Sequence, residues 1–263
     1  MHPMFPIRII AGKAIIIAAM VFIGAFLCLA VSLPCADTSP TDNDEIETLG
    51  FNFCGRWIHV DVRMGDVEGY SQCKIIRMGS DLLGASKFVT VDDPTLKRLY
   101  AEMESVMSQI FGDDISDYDK ARYILYFVQD RVQYMTDEEL FGIEGYVQFP
   151  LETLYRGYGD CEDSAYLLMA LYRIAGLDCV LAFMDGHVAV GVAVEDFDGE
   201  YVTKSFSDTK YYLAEPASHN DLGVSGNDYS FVADPTMTLI LLLFYALGMA
   251  LGEYMLMFLI RVF

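Results

Sequence analysis

The chain has 263 residues and a formal charge of −21, from 38 acidic against 17 basic residues. That balance excludes a nucleic-acid surface, because phosphate contacts need clustered Lys and Arg. It suits a domain facing a salty medium or a cation-rich cell surface.

In chain order, residues 1–36 come first. Ala14–Leu33 carries no charged residue and is long enough, as a helix, to cross a bilayer. The segment reads as a membrane anchor; a cleaved signal peptide is the alternative, with Ala30 and Ser32 as small residues near its end. Residues 37–92 read as a polar linker, Cys35–Glu47, followed by a small β-rich region. Its extended runs are Arg56–Val62 and Lys87–Val91. Cys54 and Cys73 could pair there if the region lies outside the cell.

Residues 93–235 form the predicted main domain. Asp93-Pro94 opens a helix, since Asp caps well and Pro fits the first turn. Leu96, Leu99, Met103, Val106, Met107 and Ile110 follow at helical spacing, and Gly112 ends it. A second helix is predicted from Asp117 to Tyr134, with Ala121, Ile124, Leu125, Val128 and Val132 on one face. Pro150 and Gly157-Tyr-Gly159 bracket a loop into a helix over about 162–175. Strands are predicted at Cys179–Met184, His187–Glu195, Tyr201–Phe206 and Tyr211–Glu215. Residues 236–263 hold the second apolar segment, Met237–Ile260, interrupted only by Glu253. It reads as a transmembrane helix, with a buried core helix as the alternative.

Arg8, Lys13 and Arg261 flank the outer ends of the two segments. The positive-inside rule then puts both termini in the cytoplasm and the middle of the chain outside a cell membrane. Glu253 marks either a helix–helix contact, which would make a homo-oligomer through these segments, or a position at headgroup level.

The chemistry concentrates at Cys161. It follows a glycine-containing loop and starts a helix, where free N–H groups and the dipole favour a thiolate and can bind an oxyanion. His187 opens a strand whose even positions, Val188 to Val194, form a core face. Its own face carries Ala189, Gly191 and Ala193, small enough for the Cys161 helix to pack closely. His187 is therefore the candidate base. Glu215, at the end of a neighbouring strand, is the candidate partner for the imidazole, with Asp208 and Asp196 as fallbacks. The cysteines and histidines lack zinc-ligand spacing.

The run from Asp117 to Pro216 resembles the transglutaminase-like superfamily, on Phe149-Pro150-Leu-Glu-Thr-Leu, Gly157-Tyr-Gly-Asp-Cys161-Glu-Asp-Ser-Ala, Gly186-His187-Val-Ala-Val-Gly and Tyr212-Leu-Ala-Glu215. It is most similar to membrane-anchored archaeal members and to bacterial transglutaminase-like cysteine proteinases. The family pattern has Asp where this chain has Glu215. The resemblance implies an α+β, papain-like core, here flanked by two transmembrane helices. It also implies a thiol peptidase or amidase acting on protein or peptide amides through Cys161, His187 and Glu215. Acyl transfer to an amine and a non-catalytic binding or assembly module are the alternatives. No cofactor is implied beyond calcium, for which Asp160, Glu162 and Asp163 match the proteinases' acidic ligands in position. Helix N-terminal carboxylates favoured by the dipole are the plainer account of those three. Gln148 is placed to help bind the oxyanion.

Overall fold

The computed structural model describes residues 39–73, 87–204, 207–227, 229 and 231–233. The two apolar segments expected to span a membrane, and Cys28, Cys35 and Glu253, lie outside these residues. Among the described residues no helix is long and apolar enough to cross a membrane.

The order of elements is β1 (Ile46–Phe53), β2 (Arg56–Arg63), α1 (Met64–Ser71), α2 (Pro94–Phe111), α3 (Asp117–Arg131), β3 (Gln133–Tyr134) and α4 (Asp137–Phe141). Then follow α5 (Pro150–Arg156), β4 (Tyr158–Gly159), α6 (Cys161–Ile174), β5 (Cys179–Met184), β6 (His187–Val192), β7 (Tyr201–Thr203), β8 (Lys210–Ala214) and β9 (Phe231–Ala233). Five strands make one antiparallel sheet in the order β7-β8-β6-β5-β9.

Helix α6 is the centre of the core. Leu167, Leu168, Met169, Ala170, Leu171 and Tyr172 are all fully buried, so the helix is apolar nearly all round. It packs on β5 and β6 on one side and on α2, α3 and α5 on the other. The Asp93 carboxylate caps α2 by accepting from the Thr95 and Leu96 N–H groups at 2.8 and 2.9 Å. A cap of this kind contributes about 1 kcal/mol.

Helix α3 stops three residues short of its predicted end. Gln133 and Tyr134 instead pair in parallel with Tyr158 and Gly159. That short ribbon fixes the approach to Cys161. Two glycines make it feasible. A Cβ at Gly157, where φ is +73°, would lie 2.3 Å from the Arg131 guanidinium. One at Gly159 would lie 2.7 Å from the Asp163 Cβ. Arg131 itself donates to the Leu154 and Tyr155 carbonyls at 2.8 and 2.7 Å, closing the end of α5.

The region before residue 93 differs from expectation. Lys87–Val91 forms no strand; Phe88 and Val89 are buried beside Phe149 and Tyr166 instead. Thr41 and Asn43 are no free linker: both donate to Glu68 on α1, at 2.5 and 2.8 Å. A helix, α1, follows β2 where no helix was predicted, and its Ser71 donates to the fully buried Glu152 at 2.9 Å. Phe51 and Phe53 of β1 stack edge-on to Phe127 of α3. Cys54 is a free thiol at the β1–β2 turn, so the pairing with Cys73 is not formed.

Candidate active site

Three elements supply the site: the start of α6, the start of β6 and the end of β8. Asp160 caps α6, its carboxylate accepting from the Glu162 and Asp163 N–H groups at 3.1 and 3.4 Å. The helix therefore begins at Cys161. A two-residue turn, Asp185-Gly186 with Gly186 at φ +72°, reverses the chain so that His187 opens β6 opposite Met184. Val190 of β6 stands opposite Ala214 of β8. The next residue, Glu215, is then across from Ala189 and on the same sheet face as His187.

That register brings His187 and Glu215 together: Nε2 and Oε2 are 2.9 Å apart. Glu215 is 2% exposed. Its other oxygen accepts from Ser225 at 2.5 Å, from Asn227 at 3.3 Å and from the Tyr229 hydroxyl. Burial alone would raise this carboxyl; the bonds from His187, Ser225 and Tyr229 outweigh it and hold it below the usual range. Gln129 of α3 donates to the backbone carbonyls of Glu215 and Asn220 at 3.0 and 2.8 Å. Arg122 grips Asp221 through two bonds of 3.0 and 3.1 Å. The segment that carries Glu215 is thus tied to α3. Of the fallback partners, Asp196 pairs with Lys210 and the Tyr212 hydroxyl instead, and Asp208 makes no bond to His187.

Cys161 is buried, and its sulfur meets the backbone N–H of Val188, the residue after His187. The thiolate expected from the helix start is corrected here. The thiol donates to the Glu162 carboxylate at 3.0 Å. Burial first, then Glu162 and Asp160, push its pKa up; only the Val188 N–H opposes them. The helix terminus loses to three unfavourable effects within one turn.

Gln148 is also corrected. It is fully buried, and its side-chain amide donates to the Tyr158 carbonyl at 3.0 Å and to Asp163 Oδ2 at 2.5 Å. Both N–H groups are spent, so none remains for an oxyanion. Its backbone N–H goes to Asp163 Oδ1 at 2.7 Å. Arg156 donates to its amide oxygen at 2.8 Å. Gln148 holds Asp163, and through it the first turn of α6.

The acidic trio divides into two overlapping clusters, each with its ligand atoms within 4.8 Å: Glu162 lies with Asp160 and the Cys161 sulfur, and Asp160 and Asp163 lie with Asp137 of α4. Asp137 is 6% exposed, and its Oδ1 has no hydrogen-bond partner. Burial and mutual repulsion push Asp160 up to about 8; burial pushes Asp163 up to about 7, against the two bonds from Gln148. Asp137 is raised too, chiefly by burial. Nothing local in the sequence joins Asp137 to residues 160–163; the β3–β4 pairing does so by setting α4 beside the start of α6. Ser225, Asn227 and Tyr229 lie in a polar stretch after the last predicted strand, with no periodicity to mark them.

Residues 104–198 match the family model described as Transglutaminase-like superfamily. No curated protein shows a significant match to the chain. Solved structures do align with it, and three of them follow. The first is a provisionally named protease of Parabacteroides distasonis, at 12% identity and TM-score 0.33, over 70% of this chain and 41% of that one. The second is a provisionally named cysteine protease of Cytophaga hutchinsonii, at 13% and 0.29, over 72% and 74%. The third, described as a TGase, aligns at 16% and 0.33, over 72% and 47%. The chain thus spans under half the length of the first.

Proposed function

Residues 104–198 belong to the transglutaminase-like superfamily, and from that premise we propose that the chain is a thiol-dependent peptidase or amidase using Cys161, His187 and Glu215. The observation that carries this reading is the 2.9 Å bond between His187 and a buried, ionised Glu215, one residue from the N–H that meets the Cys161 sulfur.

Glu215 engages Nε2, so Nδ1 is the ring nitrogen left to exchange a proton with the thiol. His187 takes the Cys161 proton, and the thiolate attacks the amide carbonyl. The protonated imidazole then gives that proton to the departing amine, leaving a thioester. Water, deprotonated by His187, cleaves the thioester and restores the thiol. Glu215 fixes the ring and stabilises its charged form. Asp160 takes the Glu162 and Asp163 N–H groups, which leaves the Cys161 N–H as the first-turn donor for the oxyanion.

The Asp137–Asp160–Asp163 cluster supports a calcium ion, since its donors are all carboxylate oxygens and one of them is buried without a partner. Its positive charge would relieve the repulsion among these groups. The composition of residues 14–33 and 237–260 supports an anchored domain facing outward from a cell membrane, with protein or peptide substrates nearby.

The test compares the full chain with Cys161→Ala and His187→Ala on a broad peptide library, with and without calcium. Both variants should lose hydrolysis, and in the wild type iodoacetamide should label Cys161, 7% exposed, in preference to Cys179, 2% exposed. Hydrolysis that survives Cys161→Ala would sink the proposal.

A further inference from the structure

A cleft of about 570 Å³ opens beside the site. One wall is the β3–β4 ribbon with Tyr134, Gly157 and Tyr158, which leads directly into Cys161. Pro216–His219, which leaves directly from Glu215, also lines it. Tyr134 is within electrostatic reach of Cys161, and its hydroxyl is pushed up by burial and then by Cys161, Asp160 and Glu162. Cys161, His187 and Glu215 do not line the cleft themselves; Tyr158 lies three residues before Cys161 and Pro216 directly follows Glu215.

Its charge runs against the rest of the chain. Arg131 and Arg156 line it, against one lining carboxylate, that of the exposed Asp130; Arg156 is itself paired with the buried Glu152 at 3.6 Å. Arg131 is half-buried; its Nε and Nη2 donate to the Leu154 and Tyr155 carbonyls and its guanidinium lies over the Phe51 ring at 5.3 Å, but among the described residues no carboxylate pairs with it. In a chain with more than two acids for every base, a half-buried guanidinium at a cleft, with no acid partner and with Nη1 unbonded among the described residues, retains a donor for an anion. Burial lowers the Arg131 pKa, as expected of a cation lacking a counter-charge. The exposed His219 lines the same cleft.

We propose that this cleft binds a carboxylate of the substrate through Arg131, with His219 at its exposed mouth, so that the enzyme prefers peptides bearing an acidic side chain or a free terminal carboxylate next to the scissile amide. The proposal rests on the thiol-peptidase reading and names the substrate class of that same site.

The test uses the full chain as Cys161→Ala, so that nothing is turned over, and measures binding of three fluorescein-labelled peptides by anisotropy. One carries a Glu with an amidated terminus, one replaces that Glu by Gln, and one has neither acid but keeps a free terminal carboxylate. At least one acid-bearing peptide should bind about tenfold or more tightly than the Gln peptide, and which one identifies the source of the carboxylate. Arg131→Gln should erase that difference. Because Arg131 also closes α5, His219→Glu provides a second arm: it adds a negative charge at the exposed mouth and should cut the same preference severalfold with an unchanged melting temperature. Equal binding of all three peptides, or a preference that both variants leave intact, overturns the proposal. Unbiased hydrolysis by the wild type also overturns it while leaving the thiol chemistry standing. Carboxylate-selective binding in a chain that never hydrolyses would support the cleft and remove the thiol chemistry.

Discussion

Two sets of carboxylates, Glu215 beside His187 and Asp160 with Asp163 at the start of the Cys161 helix, are withdrawn from water, and they behave in opposite ways. Glu215 is almost wholly buried yet held ionised, because one histidine and three neutral donors face it. Asp160 and Asp163 are pushed to about 8 and about 7, because burial removes water and their nearest charged neighbours are other acids. Burial is common to both; the sign and number of partners decide the outcome. One side is built to support a charged imidazole, the other to want a proton or a cation.

The largest expected effect comes from breaking the first side. Glu215→Gln keeps the size of the side chain but removes the charge that stabilises the imidazolium. Turnover on any peptide the wild type cleaves should fall by about 10³–10⁴-fold, with substrate binding little changed. A loss below about tenfold would show that His187 does not depend on Glu215.

The second side can be tested by pH. Asp160 and Asp163 have folded pKa values above those of the unfolded chain, so the native state holds more protons between about pH 4 and 8. In chelator, stability should therefore fall as pH rises through that window. Glu215, lowered in the fold, acts oppositely: its contribution is present above the unfolded carboxylate range and is lost as pH falls below it. Saturating calcium should flatten the upper slope and raise the melting temperature at pH 8 by about 5–10 °C. Asp137→Asn should abolish that calcium response. A melting profile insensitive to calcium at every pH would remove the cation from the site.

How much of this was legible in the sequence follows from which contacts are local. Asp93-Pro94, the Cys161 helix and the His187 strand lie in periodic or capped segments, and their elements start within a residue of expectation. Glu215 was readable because strand alternation and neighbouring-strand order put it near His187. Gln148 was misassigned because its partners, Asp163 and Tyr158, are reached only after the chain turns at Gly157-Tyr-Gly159. The short β3–β4 ribbon took three residues from a helical pattern that propensity alone would have extended. Asp137 and Tyr229 enter through such long-range contacts, and no spacing rule reports them.

A smaller effect sharpens the contrast at the thiol itself. Glu162→Gln replaces the carboxylate that accepts the Cys161 S–H with a neutral amide. With the charge gone, more thiolate forms at neutral pH, and iodoacetamide should label Cys161 about tenfold faster in chelator. An unchanged rate would mean that burial alone sets the thiol's reluctance to ionise.

The smallest effects belong to the neutral donors around Glu215. Tyr229→Phe and Ser225→Ala each remove one hydrogen bond to a charged acceptor while three others remain. Each should cost about 1–2 kcal/mol of stability at pH 7 and reduce turnover severalfold, well short of the Glu215→Gln loss. The reduction should deepen as pH falls, because a carboxylate with fewer donors takes up a proton at higher pH and then no longer supports the imidazolium. A pH–rate profile whose acidic limb shifts upward in Tyr229→Phe would show that these donors set the charge of Glu215. A limb that stays in place would assign that work to His187 alone.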